Sequence, residues 1–221
     1  MPEKVKILTT KQVTHDVISF ITEKPTGYKF KPGQATMVAV DKEGFRDEKR
    51  PFTFTSLNKD PHLEFIIKIY DDHNGVTREL GKTGFGNYLL IEEAWGAISY
   101  KGPGVFLAGG AGVTPFISIF RNLREQEKLE GNKLIFGNKT EKDIILKKEF
   151  QEMLGDNFVN ILSEEKKQGF AHGLMDRDFL EKQIHDTDLH FYVCGPKPFN
   201  ELVLEELRDM GADPDGLVFE K

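Results

Sequence analysis

Short segments in which apolar and polar positions alternate make up the first part of the chain. Residues 4–24 predict two strands with a turn at residues 14–16, because β-branched residues recur through an alternating pattern. Further strands are predicted at residues 34–40, 50–57, 63–70 and 88–91, and one short helix at residues 75–80. Several short strands before any long helix are typical of an antiparallel β-barrel or sandwich.

The pattern changes near Val105, where short apolar runs begin to alternate with helical stretches. Strands are predicted at residues 105–108, 133–136, 158–162, 189–193 and 217–219, and helices near residues 115–129, 143–154, 175–184 and 198–211. Strands and helices that alternate in this way form a parallel sheet with helices on both faces. The chain is therefore predicted to contain two domains, a β domain at residues 1–99 and an α/β domain at residues 100–221.

The α/β domain opens with a glycine-rich stretch. Its first residues, Val105–Ala108, predict a strand that is buried on both faces. A turn with three glycines, Gly109, Gly110 and Gly112, follows and allows the backbone to approach a ligand closely. Thr114 is then predicted to cap a helix that has Pro115 at its first position, and the N-terminus of such a helix favours a phosphate or pyrophosphate. The alternative is a tight strand-to-helix connection that binds no ligand.

Composition and charge exclude several classes of function. With 38% hydrophobic and 30% charged residues, the composition is that of an ordinary globular protein, and no apolar run is long enough to span a membrane. The one cysteine, Cys194, excludes an internal disulfide and a protein-ligated iron–sulfur cluster, and the spacing of the histidines indicates no metal site. A net charge of −6 argues against nucleic acid as the main partner. We expect a cytoplasmic protein.

A candidate ligand-binding motif lies in the β domain at Arg50–Ser56. It places a guanidinium, aromatic rings and hydroxyl groups on one predicted strand, which suits a large planar anionic ligand. The alternative is a mixed surface strand in which Phe54 is buried.

Two shorter motifs follow. Gly75–Thr77 begins a short helix whose first N–H groups suit a phosphate, although an ordinary capped helix would have the same sequence. Cys194–Pro196 follows an apolar strand, at the edge where open α/β sheets bind ligands. A lone cysteine is more often a residue of the core than a reactive group.

Taken in order, these motifs resemble those of a known family. Arg50-x-Phe52-Thr53-x-x-Ser56, Gly75-Val76-Thr77, Gly110-x-Gly112-x-Thr114-Pro115 and Cys194-Gly195-Pro196 are similar to the motifs of the ferredoxin–NADP reductase superfamily. The resemblance is greatest to its compact bacterial flavodoxin/ferredoxin reductases and oxygenase reductases, and it extends over essentially the whole chain. It implies an N-terminal antiparallel Greek-key β-barrel that binds FAD and a C-terminal, Rossmann-like α/β domain that binds NAD(P).

The resemblance also implies site residues. Arg50 would bind an FAD phosphate, Phe52 would stack on the isoalloxazine, and Thr53 would lie near flavin N5. The implied FAD site comprises Arg50, Pro51, Phe52, Thr53, Ile67, Lys68, Ile69, Gly75, Val76 and Thr77. The implied NAD(P)H site comprises Gly110, Gly112, Val113, Thr114, Pro115, Cys194, Gly195 and Pro196. Thr53 and Cys194 would lie nearest the transferred hydride, as positioning groups.

Several positions depart from the family pattern. Phe52 stands where tyrosine is common and Thr53 where serine is common, and Pro115 stands at the third glycine of the dinucleotide-binding G-x-G-x-x-G pattern. The chain has neither the terminal aromatic residue that covers the flavin in many members nor a cysteine-rich tail, so we expect no iron–sulfur cluster of its own.

The predicted function is that of an FAD-dependent NAD(P)H oxidoreductase that passes electrons to a one-electron acceptor such as flavodoxin or ferredoxin. A free-flavin or ferric reductase is the alternative within the same class, and a non-catalytic docking subunit is the alternative from another class. NADH is the expected coenzyme, because the chain has Ser163 but places Glu164 where members that use NADP have arginine, and a carboxylate repels a 2′-phosphate. Two alternatives stay open: Lys166 and Lys167 could neutralise this carboxylate, or the loop could be exposed and touch no ligand.

Overall fold

The computed structural model describes residues 2–72, 75–96 and 98–212, together with the backbone of residues 217–219. The β domain is an antiparallel, barrel-like sheet, as predicted. Its six strands lie in the order β4-β3-β6-β1-β2-β5. Its strands are β1 (Glu3–Thr14), β2 (Val17–Glu23), β3 (Ala35–Val40), β4 (Arg50–Thr53), β5 (His62–Lys68) and β6 (Tyr88–Ile91), and helix α1 (Val76–Leu80) lies between β5 and β6.

Aromatic residues fill the barrel. Phe20, Phe54 and Phe65 are completely buried, and the Phe54 ring stacks on Phe30 with 4.2 Å between the ring centroids. The predicted strand at residues 50–57 ends at Thr53, because the backbone then changes partner: the Phe54 N–H donates to the Gln34 carbonyl, next to β3, and the Thr55 N–H donates to the Glu64 carbonyl. The alternative for the Arg50–Ser56 motif was a mixed surface strand in which Phe54 is buried, and the burial of Phe54 agrees with that part of it.

The α/β domain is a parallel sheet with the strand order β10-β9-β8-β7-β11-β12. Its strands are β7 (Gly104–Gly109), β8 (Lys133–Asn138), β9 (Phe158–Leu162), β10 (Ala171–His172), β11 (His190–Cys194) and β12 (Leu217–Phe219). Its helices are α2 (Thr114–Glu125), α3 (Lys147–Leu154), α4 (Arg177–Gln183) and α5 (Lys197–Asp209). All residues of β7 are buried, as the apolar run predicted, and the strand order reverses between β7 and β11. Ligands bind at such a reversal in open α/β sheets.

Some local predictions were wrong. Thr114 does not cap α2, because a 3₁₀ turn at Gly110–Val113 leads directly into the helix. The Thr114 hydroxyl instead donates a hydrogen bond to the Ala111 carbonyl at 3.0 Å. Helix α3 begins four residues later than predicted, because Asp143 forms a capping box with Thr140 in a separate 3₁₀ turn. Strand β10 was not predicted, since two residues are too short to show a pattern.

Residues 92–103 connect β6, which ends at Ile91, to β7, which begins at Gly104. The predicted boundary between residues 99 and 100 lies in this connection and stays a prediction. Gly33 shows how closely the domains approach: its N–H donates to Ser118 Oγ of α2 at 3.0 Å, and its φ is +86°. A Cβ atom at Gly33 would lie 2.3 Å from the Ile98 carbonyl oxygen, so any larger residue would push this connection away.

Candidate functional site

A cleft of about 370 Å³ lies between the two domains and is called the interdomain cleft below. Many of the predicted site residues line it. From the β domain they are Pro51, Phe52, Thr53, Ile67, Lys68 and Thr77. From the α/β domain they are Gly112, Thr114, Pro115, Cys194, Gly195 and Pro196. Residues that lie far apart in the sequence are therefore brought to one place.

The two walls of the interdomain cleft are joined by a pair of hydroxyl groups. Thr53 Oγ1, at the end of β4, donates a hydrogen bond to Thr114 Oγ1, at the start of α2, over 2.8 Å. Thr114 Oγ1 donates in turn to the Ala111 carbonyl. This chain of hydrogen bonds fixes the Arg50–Ser56 motif relative to the glycine-rich turn.

The glycine-rich turn also packs against the end of β11. A Cβ atom at Gly112 would lie 2.2 Å from the Cys194 carbonyl oxygen, so only glycine permits this contact. Cys194 itself is 5% exposed and forms part of the cleft wall. Its burial agrees with a core role as well as with a position beside a ligand.

A second cleft, also of about 370 Å³, opens over the carboxyl ends of β7, β8 and β9 and is called the nucleotide cleft below. It shares Gly109, Ala111 and Pro196 with the interdomain cleft, so the two spaces adjoin. Gly110 lines it with φ +52°, and a Cβ atom there would meet nothing within 4 Å. The turn thus presents open backbone to the cleft, which a dinucleotide requires.

Sequence analysis missed several residues of the nucleotide cleft. They are Asn138, Lys139, Leu174 and Met175. The available signal was positional: Asn138 ends β8, the strand beside β7, and side chains at that edge of a parallel sheet face bound ligands.

Other predicted residues do not line either cleft. Val76 and Val113 are buried in the cores of their domains, and Ile69 packs against the barrel core. Gly75, in extended conformation, precedes α1. The Arg50 side chain is 54% exposed, with Nη1 donating to the Lys49 carbonyl at 2.8 Å and Nη2 3.9 Å from the Glu48 carboxylate. The roles implied for these residues stay predictions.

An ion-pair network that the sequence did not reveal joins the domains behind the interdomain cleft. Arg121 of α2 donates to the carbonyl of Thr55 at 2.9 Å, to the carboxylate of Glu64 on β5, and through two nitrogens to Glu149 of α3. Burial opposes the ionisation of Glu64, but Arg121 and hydrogen bonds from Thr55 and Ser19 hold the Glu64 pKa below its ordinary value. The network places the end of the Arg50–Ser56 motif against α2.

The acidic residue expected to set coenzyme preference has a cationic partner. Glu164 Oε1 lies 3.0 Å from Lys139 Nζ, and both side chains are largely exposed. Lys139 lines the nucleotide cleft, and a hydrogen bond to Glu164 raises its pKa above the ordinary value. Lys167, one of the lysines near this carboxylate in sequence, is paired with Glu141. The repulsion expected from Glu164 is therefore partly offset by Lys139.

Three potential metal ligands also meet across the domain boundary. His15, Asp16 and Asp143 offer ligand atoms within 4.8 Å of one another. The ammonium group of Lys68 lies 2.8 Å from an Asp16 oxygen and already neutralises that carboxylate. We assign no metal to this cluster.

A barrel motif that faces the glycine-rich turn of a parallel sheet, with two adjoining clefts beside it, is the arrangement of a two-domain, nucleotide-binding protein. Comparison with known families agrees. The FAD-binding domain family matches residues 2–90, and the oxidoreductase NAD-binding domain family matches residues 106–205. The chain therefore carries the FAD-binding domain and the NAD-binding domain of an oxidoreductase, as the resemblance to the ferredoxin–NADP reductase superfamily implied.

Individual proteins show the same relationship. The reductase component of propane 2-monooxygenase from Rhodococcus jostii (strain RHA1) is 27% identical in an alignment of 241 positions, which covers 99% of this chain and 63% of that protein. NADH-cytochrome b5 reductase 2 from Mycosarcoma maydis is 28% identical in an alignment of 215 positions, which covers 87% of this chain and 61% of that protein. The chain thus spans less than two thirds of the length of either relative.

A solved structure extends the comparison to the fold. A ferredoxin NADP⁺ reductase from Neisseria gonorrhoeae, with bound FAD and NADP, matches with a TM-score of 0.86 at 20% identity, over 99% of this chain and 98% of that chain. No helix within the described residues has the length and apolar character needed to cross a bilayer.

Proposed function

We propose that the chain transfers a hydride from NAD(P)H to FAD in the interdomain cleft and passes the electrons singly to an acceptor. The observation that carries this proposal is the meeting of both motifs in one space, with Phe52 and Thr53 on one wall and Gly112 and Cys194 on the other. FAD, when bound, supplies the ability to accept a hydride and to release electrons one at a time. The residues of the cleft bind and orient the two ligands.

On the barrel side, Phe52 provides an aromatic face and Thr53 a hydroxyl for the flavin ring. Both are half-buried at the cleft, and the bond to Thr114 holds the Thr53 hydroxyl in place. Pro51, Ile67, Lys68 and Thr77 line the same wall and extend the site. The proposed contacts of Arg50, Ile69, Gly75 and Val76 with FAD rest on the resemblance of their motifs.

On the α/β side, the backbone of Gly110–Pro115 faces the dinucleotide, and Cys194 borders the nicotinamide. The open backbone at Gly110 and the contact of Gly112 with Cys194 support this assignment. Cys194 acts by position, since it is buried and lines the same cleft as Thr53. NADH is the proposed coenzyme, with a preference reduced by the pairing of Lys139 with Glu164.

The proposed acceptor is a small redox protein such as flavodoxin or ferredoxin. The relatives described above are named as a reductase component of an oxygenase and as a cytochrome b5 reductase, which favours a protein acceptor. The basic residues Arg46 and Lys49, just before the Arg50–Ser56 motif, give limited help in attracting an acidic acceptor, because Arg46 is paired with Asp41 and Lys49 with Glu92. A free-flavin or ferric reductase is the second candidate. A cytoplasmic location remains part of the proposal.

Purification and anaerobic reduction test the proposal. The purified chain should show a flavin absorbance spectrum, and one equivalent of NADH should bleach it, with reoxidation by added flavodoxin or ferredoxin. Activity that requires added flavin, with none retained on gel filtration, would favour the free-flavin reductase. A chain that binds no FAD and oxidises no NADH would favour a docking subunit and overturn the proposal.

A further inference from the structure

Helix α2 contacts the β domain through polar side chains on one of its sides. Near its start, Thr114 Oγ1 accepts the hydrogen bond from Thr53, and farther along, Arg121 Nη1 donates to the Thr55 carbonyl at 2.9 Å. Thr114 and Arg121 are seven positions apart in α2, which is almost two full turns, so their side chains lie on the same side of the helix. The helix is therefore attached to the Arg50–Ser56 motif at two points along its length.

Two attachment points restrain more than one does. A single hydrogen bond at Thr114 fixes a distance, but it leaves α2 free to rotate about that bond. The contact at Arg121 lies about 10 Å farther along the helix, at a rise of 1.5 Å per residue, so it also fixes the angle. The bond from Gly33 to Ser118, between these two points, attaches the same helix to the residues before β3. Because α2 follows the glycine-rich turn directly, its angle decides where that turn lies relative to the motif.

The guanidinium of Arg121 is held in one orientation from both domains. In its own domain, Nε and Nη2 donate to the Glu149 carboxylate at 2.6 and 2.9 Å. Across the junction, Nη1 donates to the Thr55 carbonyl and to the Glu64 carboxylate. A planar group with this fork of donors specifies its position, which the point charge of a lysine does not. The side chain is 20% exposed, so solvent ions screen these contacts less than they screen contacts at the surface.

The acceptors of Arg121 are themselves fixed in the barrel. The Glu64 carboxylate also accepts from Thr55 Oγ1 at 2.8 Å and from Ser19 Oγ at 2.9 Å. The backbone N–H of Thr55 donates to the Glu64 carbonyl at 2.9 Å, and the N–H of Glu64 donates to Ser56 Oγ at 3.0 Å. Arg121 therefore contacts a well-anchored part of the motif, two residues beyond the Thr53 hydroxyl.

We propose that Arg121 is a positioning residue for hydride transfer, because it fixes the angle between α2 and the Arg50–Ser56 motif. This inference rests on the proposed function and adds to it a residue outside the four sequence motifs. Arg121 lines neither the interdomain cleft nor the nucleotide cleft, so it acts through Thr55 and the helix and not on a ligand. Loss of the contact should change the geometry of the hydride transfer and leave the contacts that bind each ligand in place.

Anaerobic stopped-flow reduction of the FAD-loaded chain tests the inference, since a titration with NADH gives both the limiting rate and the Kd. Arg121→Lys keeps the charge and the aliphatic stem but loses the fork. Its limiting rate of flavin reduction should be about 10-fold lower, since a misplacement of about 1 Å costs up to about 100-fold. Its Kd for NADH and its affinity for FAD should stay close to those of wild type, because the lost interaction acts in the chemical step.

Glu149→Gln is a second and milder variant. It keeps the size of the side chain and removes the charge that orients the guanidinium within its own domain. The Arg121 contacts with Thr55 and Glu64 remain possible, so the limiting rate should fall in the same direction but by less than in Arg121→Lys.

A double variant with Thr53→Val separates positioning from stability. If Thr53 and Arg121 restrain the same helix, either contact alone still limits its rotation, and removal of both releases it. The limiting rate of Thr53→Val/Arg121→Lys should therefore fall by more than the product of the two single losses. A residue that only stabilises the fold would give no such coupling.

Val203→Ala is the control for stability. Val203 of α5 is completely buried, in a core cluster whose described members include no residue of α2, so its truncation should lower the melting temperature and leave the limiting rate unchanged. Limiting rates equal to wild type in both Arg121→Lys and Glu149→Gln, or an equal loss in Val203→Ala, would overturn the inference alone. A wild-type chain that binds FAD but is not reduced by NADH would overturn the proposed function itself.

Discussion

Thr53 Oγ1 donates a hydrogen bond to Thr114 Oγ1 across 2.8 Å, and this contact joins the β domain to the α/β domain inside the interdomain cleft. Thr53 belongs to the motif proposed to hold the flavin, and Thr114 to the turn proposed to hold the nicotinamide coenzyme. This pair of hydroxyl groups therefore helps to set the distance between the two proposed ligand sites, together with the Arg121 network and the bond from Gly33 to Ser118. The rate of hydride transfer depends on that distance.

Replacement of Thr53 by valine removes the donor and keeps the shape. We expect Thr53→Val to retain FAD and to slow anaerobic flavin reduction by NADH about 2- to 10-fold, the value of one hydrogen bond. Stopped-flow absorbance measures this rate. Thr53→Ser keeps the hydroxyl and should stay close to wild type, and equal rates in all three proteins would show that the bond does not position the ligands.

Arg50 is expected to bind an FAD phosphate although its side chain is largely exposed. Arg50→Ala should fold normally and bind FAD at least about 10-fold more weakly, because a charge-assisted hydrogen bond contributes about 1.5–3 kcal/mol. Fluorescence titration of the apoprotein with FAD gives the affinity. Arg46→Ala is the control, since Arg46 is exposed and already paired with Asp41. Equal affinities of the two variants for FAD would remove Arg50 from the site.

Arg121 is predicted to stabilise the junction of the two domains. Arg121→Met leaves the carboxylate of Glu64 partly buried without its cation, and we expect a loss of up to about 3–5 kcal/mol in the free energy of unfolding at pH 7. Denaturant titration measures it. The double variant Arg121→Met/Glu64→Gln should recover part of the loss, because no unpaired charge remains.

The same network predicts a dependence on pH. The Glu64 pKa is lower in the folded chain than its ordinary value of 4.5. The ionised Glu64 carboxylate therefore stabilises the folded chain fully above pH 4.5, and this stabilisation is lost as pH falls through the lower pKa of the folded chain. In Arg121→Met the buried carboxylate should have a raised pKa, and its protonation at low pH should then relieve the destabilisation. The difference between wild type and variant in the free energy of unfolding should therefore decrease from pH 7 to pH 4. A constant difference would show that Glu64 is not the group involved.

Coenzyme preference should follow the charges around the nucleotide cleft. We expect a higher kcat/KM with NADH than with NADPH, and Glu164→Arg should move the ratio toward NADPH. Lys139→Gln should move it further toward NADH, because it removes the cation that is paired with Glu164. Steady-state kinetics with both coenzymes measure the ratios. A wild-type chain that favours NADPH tenfold, equivalent to about 1.4 kcal/mol, would contradict this prediction.

The sequence alone determined the architecture and the motifs. Alternation with a period of two, apolar runs followed by helical stretches, and glycines at a strand end are local patterns, and each depends on a few neighbouring residues. They predicted the barrel-like sheet, the parallel sheet and the buried strand β7. Local geometry limited these predictions: the backbone changes its pairing partner between Phe54 and Thr55, which shortens β4, and a 3₁₀ turn takes the place of a cap at Thr114.

How these pieces meet depends on contacts between residues that lie far apart in the sequence. The bond between Thr53 and Thr114 joins residues 61 positions apart, and Arg121 contacts Glu64 over 57 positions, so no local pattern contains either pair. Asn138 lines the nucleotide cleft only because β8 lies beside β7 in the sheet. Burial and long-range pairing depend on the packing of the whole chain, and they decided which polar residues face the proposed ligands.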